Sequence, residues 1–386
     1  MYRIFSAITS IYKCIVLRWY KSRICNEINK ILHDSNIKEG DDIIFHTDKN
    51  ELMLSIYKGG TLAAGESYMA GQWDSNNLYY LLKKIIRNKQ HRQFRSGPLT
   101  MLLPPNQTTS LQMIDTHYNL SNEFFSSWLD TNMQYSCAYF ARENMTLDEA
   151  QIAKMNLIGR KLKLKKGMTV LDIGCGWGML AQYLYKTFGV LVTAINLSSE
   201  HLKYANSMCD KNNCNVNYIY GDFSEISKHG LKFDRIISVG FYEHVGEDRY
   251  DEFYKVMQTN LKDDGIALLH TIGRTHDKKS ADPWILKYIF TRGVIPNLCS
   301  ITSHSENNGF IIEDVHNFGM DYGTTLLHWL DRFEKSDSDL KKDPTFYRMW
   351  KYYLSSCAAS FHEKDLFLWQ IIFTKKENTI KYTGER

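Results

Sequence analysis

This chain lacks several things, and each absence closes off a class of function. It has no run of about 18 apolar residues, so nothing in it reads as a membrane-spanning helix. Its eight cysteines (Cys14, Cys25, Cys137, Cys175, Cys209, Cys214, Cys299 and Cys357) include no C-x-x-C pair and no Cys/His grouping at zinc spacing, so no metal site is expected. Such scattered thiols are expected to be free, in a reducing compartment. Excess charge is scarce too: a net +4 gives no reason to expect nucleic acid. The apolar run near the N-terminus is broken by Lys13 and followed by no small-residue cleavage site, which argues against a signal peptide.

What is present suits a globular protein with more than one core. The 386 residues are long enough for two or three domains. Aromatics reach 13%, which fits a large apolar cavity but equally fits an aromatic core. Ile4, Phe5, Ile8, Ile11, Tyr12, Ile15, Val16 and Trp19 share one helix face among basic residues. That pattern fits a helix packed on its own domain or one resting on an anionic membrane surface, and the packed reading is preferred. Residues 41–57 alternate as a hairpin would, and a helix is expected over residues 78–86. Lys83, Lys84, Arg87, Lys89, Arg92 and Arg95 form a basic cluster. A solvated helix face explains it; contact with phosphate headgroups is the alternative. Turn-rich sequence then marks a boundary: a first domain over 1–95, a linker over 96–115, and a second domain over 116–386.

The second domain is organised around Val170-Leu171-Asp172-Ile173-Gly174-Cys175-Gly176-Trp177-Gly178. A buried-strand run enters three alternate glycines, and helical spacing resumes at Met179 and Leu180. Strand, tight turn and helix are expected, with free N–H groups at the helix start. The dinucleotide fingerprint G-x-G-x-x-G is absent. The order Asp-x-Gly-x-Gly-x-Gly instead resembles the first motif of S-adenosylmethionine-dependent methyltransferases. Strands and helices then alternate through residues 190–271, the mark of a parallel α/β sheet. In such sheets ligands sit at the carboxyl ends of strands. Those ends carry Asn196-Leu197-Ser198-Ser199-Glu200-His201, then Asp222 and Phe223, then Glu243, then His270. Asp222 and Phe223 suit the edge and face of an adenine, while Glu243 and His270 are titratable groups on adjacent strands. Cys137, in the aromatic run Tyr135-Ser136-Cys137-Ala138-Tyr139, reads on its own as a buried thiol.

Together these motifs, with Gly65–Gly71 and Trp73, His117–Asn122, Asp282–Phe290, His316–Gly319 and Tyr352–Phe361, give the chain a family likeness. It resembles the bacterial cyclopropane-fatty-acyl-phospholipid synthases and, more distantly, the mycolic acid cyclopropane synthases. The resemblance implies a Rossmann-like class I methyltransferase domain behind a smaller α+β domain that associates with lipid or membrane. It implies methylene transfer from S-adenosylmethionine to a cis double bond of a phospholipid acyl chain, with bound bicarbonate as the base. The bicarbonate cradle would be Cys137, Glu243, His270, Tyr322 and the backbone at Ile272. Cofactor contacts would come from Tyr135, Ser136, the turn Val170–Gly178, Asn196–His201, Asp222 and Phe223. Cys357 matches a family cysteine, although its helical setting fits a packed core thiol. The family usually carries Thr at the position of Asn196 and Gln at that of His201. A homodimer in the cytoplasm, peripherally bound to the inner membrane face, is also implied. Other methyl transfer, to an amine, an oxygen or an olefin without ring closure, is the enzymatic alternative. A lipid-binding protein without catalysis is the other.

Overall fold

The structure is a computed structural model, and it describes residues 22–88, 120–275, 281–291 and 293–386. The amphipathic stretch 4–19, Lys89, Arg92, Arg95, the linker and His117-Tyr118-Asn119 lie outside them. The chain forms two compact units, and each draws on three segments. One takes residues 1–120, 282–291 and 337–363; the other takes 121–281, 292–336 and 364–386. The span 116–386 expected for a single second domain is therefore interrupted twice.

In the first unit the hairpin expected over 41–57 does not form. Only Ile44–Phe45 (β1) is strand, and it pairs antiparallel with Trp73–Asp74 (β2). Lys49–Met69 is helical, with a kink at Gly60. The cause is local: the Asp48 side chain accepts the Glu51 N–H and starts the helix. Leu52 and Ile56 also stand at i, i+4 spacing, so the alternation was compatible with either period. The helix Pro344–His362 carries Arg348, which bonds the Trp73 carbonyl at 2.7 Å and the Asp74 carboxylate at 2.8 Å. It also bonds the Tyr68 carbonyl and lies 3.9 Å from the Tyr68 ring centre. Trp284, on the short helix Pro283–Tyr288, fills the space a side chain would need at Gly65. Part of the basic cluster is neutralised within this unit: Lys84 pairs with Asp42 at 2.7 Å and Arg87 with Glu363 at 2.9 Å.

The second unit contains a seven-stranded sheet. Its strands are Thr169–Ile173 (β3), Leu191–Asn196 (β4), Val216–Tyr220 (β5), Phe233–Val239 (β6), Leu261–Gly273 (β7), Phe310–Asn317 (β8) and Phe367–Lys375 (β9). The order is β5-β4-β3-β6-β7-β9-β8. β3 to β7 are parallel, and β9 lies antiparallel between β7 and β8. The Rossmann-like class I arrangement expected of the catalytic domain is the one observed. Alternation along the strands buries both faces. Val170, Val192, Ala194, Ile237, Leu268 and Ile372 join one core with Leu180 and Leu184. Leu171, Ile173, Ile195, Ile236, Leu269 and Ile371 join the other with Phe253, Tyr254 and Met257. The strand order reverses between β3 and β6, so a crevice opens where the chain leaves both. One cysteine expectation fails here: Cys209 and Cys214 are joined as a disulfide, while Cys25, Cys137, Cys175, Cys299 and Cys357 are free.

Candidate active site

The turn after β3 is shaped to leave backbone uncovered. Gly174, Gly176 and Gly178 all have positive φ, at +81°, +52° and +74°. A side chain at Gly174 would overlap the Phe241 ring, whereas one at Gly176 would meet no atom within 4 Å. The helix Met179–Phe188 starts at Gly178 with no side-chain cap, so its first N–H groups remain available. Asn196, at the end of β4, donates to the Gly176 carbonyl at 3.1 Å and accepts from the Ser198 N–H at 3.3 Å. Ser198 caps the next helix by accepting the His201 N–H. The His201 ring lies 4.5 Å from that of Trp177, whose indole N–H bonds Asn122 at 2.7 Å. Val170, Leu171 and Ile173 are spent in the two cores. Asp172 differs from them: it is buried, and its Oδ2 has no hydrogen-bond partner among the described residues. Burial lifts its pKa to about 7, against the pull of the Lys154 charge. A buried carboxylate oxygen left unpaired fits the cationic amino group of S-adenosylmethionine, and the N–H groups of an uncapped helix start fit its carboxylate.

The strand ends of β6 and β7 make the second half. Glu243 is buried; one carboxylate oxygen accepts the Ile272 N–H at 2.7 Å and the other has no partner among the described residues. Burial raises its pKa to about 7. His270 is buried one strand away. Its Nδ1 faces the Gln370 side-chain amide nitrogen at 3.2 Å, and its Nε2 is unpartnered among the described residues. With the amide donating to Nδ1, the ring proton sits on Nε2. Burial, with the charges of Lys154 and Lys161, holds His270 well below its ordinary pKa, so the ring is neutral. Around these two groups Cys137, Phe318 and Leu368 form a small apolar cluster, with Tyr139, Ile272 and Tyr322 packed against it. The Phe318 ring lies 5.8 Å from that of His270. Burial keeps the Cys137 thiol protonated, so it acts as a wall. Four of the five expected cradle residues thus share one lining, tied through Ile272 to Glu243, and the fifth, His270, joins it through Phe318.

Two expected residues are placed differently. The Phe223 ring is buried, and the Arg249 guanidinium lies 4.5 Å from its centre, so its face is covered and does not suit an adenine ring. Arg249 also grips Asp222, at 2.7 and 3.1 Å, and holds its pKa near 2. That segment offers a fixed carboxylate and backbone. Cys357 belongs to the other unit, where burial pushes its thiol up to about 12. Leu197 is exposed, and Glu200 pairs with Lys203 at 2.6 Å. Three residues escaped sequence reasoning. Lys154 and Gln151 face inward from the helix Leu147–Lys161, and Gln370 reaches His270 from β9. Lysine and glutamine inside a helix ordinarily read as solvated, so only their spacing to neighbouring apolar positions could have flagged them.

A family model described as mycolic acid cyclopropane synthetase matches residues 106–371. The chain belongs to that family. It is 40% identical to the cyclopropane-fatty-acyl-phospholipid synthase of Escherichia coli over 333 residues, covering 83% of this chain and 85% of the relative. Among solved structures, the cyclopropane synthase MmaA2 of Mycobacterium tuberculosis superposes with a TM-score of 0.63 at 30% identity, over 68% of this chain and 98% of that one. The mycolic acid cyclopropane synthase CmaA1, solved with SAH and CTAB, gives 0.62 at 31%, over 71% and 99%. This family member is an S-adenosylmethionine-dependent methyltransferase. Asn196 and His201, expected to depart from the family pattern, have local roles: one bridges the glycine turn to the next helix, the other packs on Trp177.

Proposed function

We propose that this methyltransferase forms cyclopropane rings at cis double bonds of unsaturated phospholipid acyl chains, with bicarbonate bound in the Glu243–His270 cluster. The observation that carries the reading is a pair of buried polar atoms without partners among the described residues, Glu243 Oε2 and His270 Nε2, in a largely apolar lining. A carboxylate oxygen that accepts and a neutral imidazole N–H that donates fit an anion bearing one proton. S-adenosylmethionine, when bound, supplies an electrophilic methyl group. Bicarbonate, when bound, supplies the base for one proton.

The chain's own residues do the rest. Asp172 and the turn Gly174–Gly178 hold the cofactor, with Tyr135, Ser136 and the segments after β4 and β5 beside it. Attack of the alkene on the methyl carbon would break that carbon's bond to the sulfonium sulfur, release S-adenosylhomocysteine and leave a cation on the far alkene carbon. Loss of one methyl proton then closes the ring. An alkene is a weak nucleophile, so orientation supplies much of the rate. Phe318, Leu368, Ile272 and the Cys137 thiol keep water from quenching the cation. Glu243, anchored by the Ile272 N–H, fixes the orientation of the base, and His270 and Tyr322 supply further polar contacts. The E. coli relative's name supports phospholipid as the substrate class. Peripheral contact with the cytoplasmic membrane face, and a homodimer, belong to the same proposal.

Purified protein is incubated with labelled S-adenosylmethionine, bicarbonate and vesicles of a monounsaturated phospholipid, and the fatty acids are analysed by mass spectrometry. A chain heavier by one methylene and lacking its double bond is expected. A methyl-branched product would remove the base assignment. Bound cofactor without any lipid product would remove the lipid substrate.

A further inference from the structure

Lys154 lies inside the helix Leu147–Lys161 with 0% of its surface exposed. A buried ammonium is costly unless it is paired and hydrogen-bonded, and an apolar side chain of similar size would serve packing better. Here it is bonded: Nζ donates to Gln134 Oε1 at 2.7 Å and to Ser136 Oγ at 2.8 Å. One turn earlier on the same helix, Gln151 donates to the carbonyls of Ser136 at 2.9 Å and Gln134 at 3.2 Å. Asp130 accepts the Gln134 N–H at 2.8 Å and the Asn132 N–H at 2.9 Å. The strip Gln134-Tyr135-Ser136 is thus clamped by its backbone and by two of its side chains. It leads directly into Cys137 of the base cluster.

The Lys154 charge also reaches past this strip. It draws the Asp172 carboxyl down against burial, and it pushes the His270 imidazole further down. Asp172 faces two other titratable groups, the Cys175 thiol and the Tyr218 phenol, and burial keeps both protonated. Lys154 itself is held at about 8, lowered by burial and supported by Asp130, Cys137 and Asp172. No other cation acts on Asp172 among the described residues.

We propose that Lys154 is a positioning residue for methyl transfer: its ammonium fixes the strip that joins the cofactor side to the base side, and it keeps Asp172 in the charged form that receives the cofactor. The proposal rests on the cofactor role given above to Asp172. Ionised Asp172 binds the cofactor's ammonium and protonated Asp172 does not, so affinity falls on the acid side. Removing the Lys154 charge moves that fall to higher pH.

The test is calorimetric titration of the full chain with S-adenosylmethionine across the near-neutral pH range. In Lys154→Met the acid-side midpoint is expected to rise by about one pH unit, with roughly fivefold weaker binding at pH 7 that approaches tenfold well below the midpoint, since one unit of pKa corresponds to a factor of ten. Ser136→Ala, which loses only a hydrogen bond, should bind more weakly with an unmoved midpoint. A Lys154→Met variant that keeps the wild-type midpoint overturns the proposal. If that variant does not melt cooperatively, Lys154→Arg carries the test: the charge is retained, so its midpoint must stay, and a shift overturns the proposal. Wild-type binding with no acid-side fall would instead remove the role of Asp172 itself.

Discussion

Glu243 and Asp172 are buried carboxyl groups at neighbouring strand ends, and each has one oxygen unpaired among the described residues. Their proposed tasks differ, so their variants should separate. Glu243→Gln is expected to lower turnover by about a hundredfold or more, the scale of an acid–base contribution, while cofactor affinity stays within about threefold. Parallel losses in turnover and affinity would remove Glu243 from the base site. Burial raises both pKa values to about 7, and the proposed roles require both groups ionised. Turnover should therefore rise with pH through about 7 and level off above it, which a pH–rate profile checks. For stability the sign is opposite. A raised carboxyl pKa favours the folded state at low pH, and that contribution fades as pH climbs towards the folded value. At the turn, Gly176→Ala should cost about 1–2 kcal/mol for the left-handed backbone and also weaken cofactor binding. Gly174→Ala adds a clash with Phe241 and should cost about 2–4 kcal/mol. Thermal melts with and without cofactor distinguish the two.

At the level of elements, the glycine turn, the strand ends and the Ser198 cap were legible because each is a local signal: a breaker, a period or a capping residue next to its own helix. Residues 41–57 misled because an alternating pattern of leucines and isoleucines also fits i, i+4 spacing, and the Asp48 cap decided for the helix. The reach of Lys154 into the site was not legible, because it depends on which way a whole helix turns. The same holds for β9. Its antiparallel place between β7 and β8 sets Gln370 directly opposite His270, although the two are 100 residues apart. Gln370→Leu keeps the strand apolar and removes the donor to Nδ1. The ring proton is then no longer confined to Nε2, and turnover should fall about tenfold, the value of one oriented hydrogen bond, with cofactor affinity unchanged. Steady-state kinetics beside calorimetry decide this.

At the scale of the molecule, the three-segment build of each unit was the least legible feature. The turn-rich stretch 96–115 looks like a boundary, and nothing in the composition of residues 337–363 says that they pack with residues far upstream. Arg348 shows the dependence: its bonds to Tyr68, Trp73 and Asp74 all lie within the first unit. Arg348→Ala should destabilise that unit by about 2–4 kcal/mol, the scale of breaking a partly buried charged network. Its melting transition should fall while the cofactor affinity of the second unit holds. The segment order also has a consequence for the protein's making. On a ribosome, the front of the chain emerges long before residues 337–363, so the first unit must wait, unfinished, until those residues have been made. Meanwhile the strand that carries Gln370 is later still. The first unit closes only after most of the second has been made, and a premature stop within residues 337–363 leaves two unfinished units, not one finished and one missing.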